Sequence, residues 1–150
     1  MSAVREERML TFEIGSALFA VSIEGVHEVA EMSELACVPT LPEDVAGVIN
    51  YRGDALPVVR RERLLTAGEG ALERPEHVLV IGERPGAAPC MGLTADRVLG
   101  LVDGQPARGA GSDPVIEKRP LDGRLAHILD PARLVARARK VIEESLARGE

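Results

Sequence analysis

Aromatic residues are almost missing from this chain of 150 residues, which has two phenylalanines, one tyrosine and no tryptophan. Binding of single-stranded nucleic acid depends on aromatic stacking platforms, so this activity is excluded. The formal net charge of −6 also provides no positive field for a phosphate backbone. No apolar run approaches the roughly 18 residues of a membrane span, and the start has no signal-peptide pattern. We therefore expect a cytoplasmic protein.

Patterns that carry catalysis or metal binding are also scarce. Cys37 and Cys90 form no CxxC pair and are expected to be free thiols. Glu24 and His27 have the E-x-x-H spacing of di-metal sites, but the partner motif is missing, which favours a solvated turn. The sequence predicts no cofactor and no enzyme. The less favoured alternative is a small metal- or thiol-dependent enzyme that uses Glu24, His27 and a cysteine.

Aliphatic residues must supply the core, since 45% of the chain is hydrophobic but only 2% is aromatic. Short apolar segments alternate with Gly, Pro and Asp at the spacing typical of a small all-β barrel or sandwich. Two polar stretches predict a linker at about 66–76 and a long loop over 103–120. The predicted strands are Met9–Ile14, Leu18–Ile23, Val45–Tyr51, Ala55–Val59, His77–Ile81, Cys90–Thr94, Val98–Val102 and Arg124–Leu129.

The C-terminal segment alone has a strong helical pattern. Asp130 suits the N-cap and Pro131 the first helical position, which predicts a helix over about 131–148. A weak internal repeat of about 70 residues predicts two β subdomains, at about 9–66 and 77–130, within one domain. Subdomains of that size gain stability by burying a shared face, so we expect one common core. The predicted apolar stripe of the helix is Leu134, Val135, Ala138, Val141, Ile142 and Leu146.

The segment Gly47–Val59, GVINYRGDALPVV, places a polar corner between two apolar strands. Arg52 is then displayed on a tight turn with a rigid base. Its guanidinium has five donors and a permanent charge, which suits a partner's carboxylates or backbone carbonyls. The alternative, which the pattern taken alone favours, is that Arg52 only solvates the hairpin corner.

This segment resembles the signature of the CheW-like coupling proteins of bacterial chemotaxis, G-V-x-N-L-R-G-x-x-x-P-V. Three further segments resemble family elements in the same order, from about residue 9 to residue 136. They are FEIGSALFAVSIEGVHEV at Phe12–Val29, MGLTADRVLGLVD at Met91–Asp103 and LDGRLAHILDPARLV at Leu121–Val135.

The resemblance implies two five-stranded SH3-like β-barrels around a shared hydrophobic core. It also implies an adaptor that couples the cytoplasmic tip of methyl-accepting chemoreceptors to a CheA-type histidine kinase, whose regulatory domain is itself CheW-like. Such an adaptor works at receptor arrays on the inner face of the membrane. Asn50 and Gly53 are expected to shape the corner. The receptor- or partner-contact positions implied by the family motif are Arg52, Val26, Glu28, Gly47, Val98 and Leu101.

Some positions depart from the family pattern. Tyr51 replaces the usual Leu, and Arg60 stands where Asp or Asn is common. The Gly- and Pro-rich stretch 103–119 replaces more strand-like sequence. These departures support a second hypothesis, a divergent CheW-like protein that has lost kinase or receptor binding and serves another signalling partner.

Overall fold

The computed structural model describes residues 7–65, 75–105, 107 and 109–148. Strands occupy most of these ranges, and a helix closes the chain. The strands are β1 Glu7–Ile14, β2 Ala17–Ser22, β3 Val26–Glu31, β4 Leu35–Ala36, β5 Val45–Tyr51, β6 Asp54–Val59, β7 His77–Gly82, β8 Pro89–Ala95, β9 Arg97–Gly104, β10 Val115–Leu121 and β11 Arg124–Leu129. Helix α1 is Pro131–Arg148, and short 3₁₀ turns lie at Ile23–Gly25, Met32–Glu34 and Arg61–Arg63.

The strands form two curled sheets, as expected for two SH3-like barrels. The five-stranded sheet has the order β10-β11-β2-β1-β9, and the six-stranded sheet has the order β3-β7-β8-β6-β5-β4. The predicted all-β class with a C-terminal helix is therefore confirmed. The second sheet has one strand more than predicted because the two-residue β4 pairs with β5.

The two sheets do not follow the predicted subdomains at 9–66 and 77–130. Strands β1 and β2 belong to the first half of the chain, but they lie in one sheet with β9, β10 and β11 of the second half. The reason is the edge of β2, which pairs in parallel with β11 through Leu18 and Ala126. Of the predicted linker at 66–76, only Pro75 and Glu76 lie within the described residues.

A shared hydrophobic core lies between the sheets, as predicted. Its cluster combines Phe12 and Phe19 of the first sheet, Leu79 and Ile81 of the second, and Leu134 of α1, all fully buried. The two phenylalanine rings stack with centroids 5.6 Å apart. Each sheet also encloses a smaller cluster of its own, so the sheets are barrels that share a face. Fully burying one such side chain contributes about 1.5–3 kcal/mol.

Helix α1 begins where the sequence predicts. The backbone N–H of Ala132 donates to Asp130 Oδ1 at 3.4 Å, which caps the first turn. One stripe position is wrong: Leu146 is 55% exposed. Ser145 is buried instead, because its Oγ accepts a hydrogen bond from the backbone N–H of Asp44 at 3.3 Å. Across the described ranges, no α-helix combines the length and apolar character that crossing a bilayer requires.

Three strands lie where the sequence predicts none: β3, β10 and the two-residue β4. The predicted loop over 103–120 contains the end of β9 and all of β10 except its last residue, Leu121. Strand β10 is hard to detect because it lies at the edge of its sheet and carries Glu117, Lys118 and Arg119. Strand β3 replaces the solvated turn predicted around His27, and it too is an edge strand with exposed carboxylates.

Candidate functional site

The hairpin between β5 and β6 presents the most distinctive surface feature. Tyr51 and Asp54 are the last paired residues, so Arg52 and Gly53 form a two-residue loop. Both have positive φ, 49° for Arg52 and 91° for Gly53. Positive φ at both central residues is the arrangement of a type I′ turn, whose twist matches that of the flanking strands. The turn therefore has a rigid, strand-supported base.

Asn50 and Gly53 shape this turn in the way their residue types suggest. The backbone N–H of Gly53 donates to Asn50 Oδ1 at 2.9 Å. A Cβ added at Gly53 would meet nothing within 4 Å, so space does not require glycine there. The positive φ requires it, because a side chain is strained in that conformation.

Arg52 is exposed at the tip of the hairpin. Its guanidinium carbon lies 5.2 Å from the centroid of the Tyr51 ring, a cation–π distance. Within the described part of the chain, no carboxylate forms an ion pair with Arg52. The donors of this guanidinium are therefore available to another molecule.

Strand β3 contacts the hairpin through one pair of rings, although the two are not neighbours in the sheet. His27 packs edge-on against Tyr51, with ring centroids 6.1 Å apart and an interplanar angle of 71°. His27 is the extra residue of a bulge, because Val26 pairs with Ile81 and Glu28 already pairs with Val80. Val26 and Glu28, the two neighbours of His27, therefore lie on a strand that contacts the hairpin residue Tyr51.

Val26 and Glu28 differ in exposure. Val26 is half-buried and packs against the shared core, whereas Glu28 is exposed on the edge strand. Glu28 can therefore contact a partner directly. Val26 has only part of its side chain available for such contact.

Gly47 has a structural explanation of its own. It lies buried in β5, and an added Cβ would come within 2.6 Å of the carbonyl oxygen of Ala36. Any side chain at this position would push β4 away from β5. Gly47 therefore permits the close approach of two strands and offers no side chain to a partner.

Val98 and Leu101 belong to the other sheet, on its edge strand β9. Val98 pairs with Phe12 and packs against the shared core, and Leu101 pairs with Leu10. Leu101 is nevertheless 46% exposed at the sheet edge. Sequence reasoning did not select Leu99, which is equally exposed at a bulge in the same strand.

A buried ion pair behind the site was also missed. Asp96 and Arg61 approach to 2.5 Å with both side chains largely buried. Asp96 also accepts a hydrogen bond from the backbone N–H of Gly15 at 2.7 Å. Arg61 follows a strand of one sheet and Gly15 joins two strands of the other, so this pair links the barrels. Sequence spacing gave no signal, because the two charges are far apart in the chain.

No catalytic arrangement appears in the parts of the chain that can be described. Glu24 lies in a 3₁₀ turn and His27 in strand β3, so the two do not share a helical face. In these ranges no group of three or more His, Cys, Asp or Glu side chains could hold a metal ion. Cys37 is exposed and Cys90 half-buried, and both are free.

Two curled β-barrels around a common core, with a charged hairpin on one of them, define a class of small β scaffold. The chain belongs to the CheW-like domain family, which matches residues 8–139. Proteins of this family are non-enzymatic scaffold proteins. This family membership confirms the expected resemblance and excludes the enzyme hypothesis.

Individual relatives agree with this assignment. The chain is 31% identical over 100 residues to Chemotaxis protein CheW of Thermotoga maritima, covering 67% of this chain and 64% of the relative. It is 33% identical over 96 residues to Protein FrzA of Myxococcus xanthus, covering 64% and 58%. With Chemotaxis protein CheW of Treponema pallidum the match covers 46% of the relative at 28% identity. The chain thus spans less than two thirds of these relatives.

A solved structure shows the same fold. The crystal structure of the scaffolding protein TtCheW from Thermoanaerobacter tengcongensis superimposes with a TM-score of 0.66. The superposition covers 87% of this chain and 92% of that one, at 20% sequence identity. At this identity the likeness establishes the architecture alone.

Proposed function

We propose that this protein is a coupling scaffold of a bacterial chemosensory complex. It joins the cytoplasmic tip of a methyl-accepting chemoreceptor to the CheW-like regulatory domain of a CheA-type histidine kinase. It works in the cytoplasm, at receptor arrays on the inner face of the membrane, through protein contacts alone. Its membership of the CheW-like family and its similarity to proteins named for chemotaxis support this proposal.

The observation that carries the proposal is the exposed guanidinium of Arg52. An exposed guanidinium stands on a type I′ turn with no ion-pair partner in the described residues. Arg61 and Arg124, in contrast, are bound by carboxylates within the protein. An unpaired fork of five donors on a rigid base suits a partner's carboxylate or backbone carbonyls.

The other candidate residues contribute around this charge. Glu28 and the exposed part of Val26 extend the contact along β3, next to the hairpin. Val98 and Leu101 offer an apolar edge on the other barrel. Gly47 acts indirectly, by allowing β4 and β5 to approach. A receptor tip that uses both barrels would meet a charged contact on one and an apolar contact on the other.

The test is a pull-down and titration with a receptor cytoplasmic-tip fragment. Arg52→Glu should weaken binding by about 30-fold or more, the effect expected for a hot-spot arginine. Far-ultraviolet circular dichroism should show an unchanged fold, because Arg52 has no ion-pair partner in the described chain. The matched control is Arg84→Glu, an arginine in the β7–β8 connection whose side chain is 73% exposed.

Binding by Arg52→Glu equal to that of the unaltered protein would refute the role of Arg52. A parallel pull-down with the kinase regulatory domain separates the two family hypotheses. Receptor binding without kinase binding would favour the divergent adaptor, and binding of both would favour the coupling scaffold.

A further inference from the structure

Tyr51 lies at the centre of a three-residue stack on the hairpin. Its ring has the Arg52 guanidinium over it at 5.2 Å and the His27 ring edge-on at 6.1 Å. Tyr51 is half-buried and packs against the small core cluster of its own barrel. The aromatic ring is therefore anchored on one side and covered by the cation on the other.

His27 is itself confined, which limits how far the Tyr51 ring can move. Its Nε2 lies against the backbone of Gly82, where an added Cβ would come within 2.5 Å of that atom. Because His27 is the bulged residue of β3, its backbone is held by the ladder pairs on either side. Tyr51 thus rests on a ring that has little room to turn away.

The stack matters for Arg52 because a long exposed side chain normally samples many rotamers. Binding must then freeze those rotamers, and this entropy cost weakens the complex. A guanidinium held over an aromatic face by its positive charge can still donate its N–H groups to another molecule. Stacking therefore restricts the side chain and leaves its hydrogen-bonding capacity intact.

We propose that Tyr51 is a positioning residue for Arg52 in partner recognition. Tyr51 and His27 hold the guanidinium so that its donors face outward, toward a carboxylate side chain of the partner. The effect on binding rests on the proposed function, whereas the stack itself does not. Leucine, the usual residue in the family motif, has no π face and cannot hold a cation in this way.

The first experiment examines the stack in the free protein. Ring-current shifts of the Arg52 δ and ε protons, measured by NMR, should move upfield in the unaltered protein and in Tyr51→Phe. They should return to solvent-exposed values in Tyr51→Leu. Shifts that are identical in Tyr51→Leu and the unaltered protein would overturn the inference, whatever the partner of Arg52.

The second experiment measures binding of the receptor cytoplasmic-tip fragment. Tyr51 is the single tyrosine and there is no tryptophan, so tyrosine fluorescence reports on this position when the fragment lacks both residues. Tyr51→Leu and Tyr51→Phe have no tyrosine, so these variants and the unaltered protein are compared by calorimetry. Tyr51→Leu should weaken binding by about fivefold, the scale of a cation–π contact, and Tyr51→Phe by less than about twofold.

A double-mutant cycle separates positioning from a purely structural role. If Tyr51 acts through Arg52, Tyr51→Leu should have no further effect on binding in an Arg52→Ala background. The same fivefold loss in both backgrounds would overturn the inference and leave the proposed function standing. Arg52→Ala binding that equals that of the unaltered protein would instead refute the proposed function, and the NMR result would still decide whether the stack exists.

Discussion

The β5–β6 and β10–β11 hairpins have the same turn geometry and use it differently. Arg52 and Gly53 have φ of 49° and 91°, and Asp122 and Gly123 have φ of 53° and 81°. In each loop a glycine follows a residue with a side chain in the left-handed region. Aspartate adopts this conformation readily because its short side chain can bond locally, whereas arginine has no such advantage.

The charges of the two hairpins are also reversed. The first has its arginine in the loop, and the second has an aspartate there and Arg124 two positions later. Arg124 is bound within the protein, 2.7 Å from Glu13, whereas Arg52 has no ion pair in the described chain. Backbone strain is commonly retained where a side chain has a function. The comparison therefore supports the proposal that the first turn serves recognition, whereas the arginine of the second turn binds within the protein.

The largest loss of stability should come from replacing the positive-φ glycine that both hairpin turns contain. Gly53→Ala and Gly123→Ala should each lower the free energy of unfolding by about 1–2 kcal/mol, because a side chain is forced into positive φ. Neither added Cβ meets an atom within 4 Å, so the two costs should be equal. Urea denaturation of both variants measures them.

Gly109→Ala is the control for this pair. An added Cβ there makes only ordinary contacts, at 3.5 Å from Ile116. It should change the free energy of unfolding by less than about 0.5 kcal/mol. A clear difference between the Gly53 and Gly123 variants would show that the two turns are not held in the same way.

A smaller loss of stability should follow when a side-chain hydrogen bond of the β5–β6 turn, which the β10–β11 turn lacks, is removed. Asn50→Ala removes the Oδ1 acceptor of the Gly53 N–H, and should cost about 1 kcal/mol. The matching position of the second hairpin is Pro120, which has no side-chain acceptor. Asn50→Asp keeps an acceptor oxygen and should retain most of the stability in thermal denaturation. Equal stability of Asn50→Ala and the unaltered protein would mean that the bond does not hold the turn.

Local sequence signals account for most of the secondary structure. Apolar segments such as His77–Ile81 predict buried strands, and Asp130 with Pro131 predicts the start of the helix. The hairpin at Arg52 follows from two apolar strands around a short polar corner. These features depend on neighbouring residues, which a single sequence displays directly.

Features that depend on distant residues could not be predicted in this way. The parallel pairing of Leu18 with Ala126 assigns β2 to a sheet with the end of the chain, against the apparent repeat. The contact of His27 with Tyr51 requires the barrel to close first. The polar edge strand β10 has no apolar alternation to reveal it. The sequence pattern therefore predicted that Arg52 lies on a hairpin turn, but it did not predict the contacts of Tyr51 with His27 and Arg52.

The smallest expected change in the free energy of unfolding is an increase rather than a loss. It tests the contrast between the two hairpins most directly. Arg52→Asn should leave the free energy of unfolding unchanged or raise it by a few tenths of a kcal/mol, because asparagine tolerates the left-handed region and this gain offsets the lost cation–π contact with Tyr51. Receptor-tip binding should nevertheless fall as in Arg52→Glu. The reciprocal Asp122→Arg should lower stability and leave binding unaltered. If Arg52→Asn instead destabilised the protein, arginine would be present for the turn itself, and the contrast between the two hairpins would disappear.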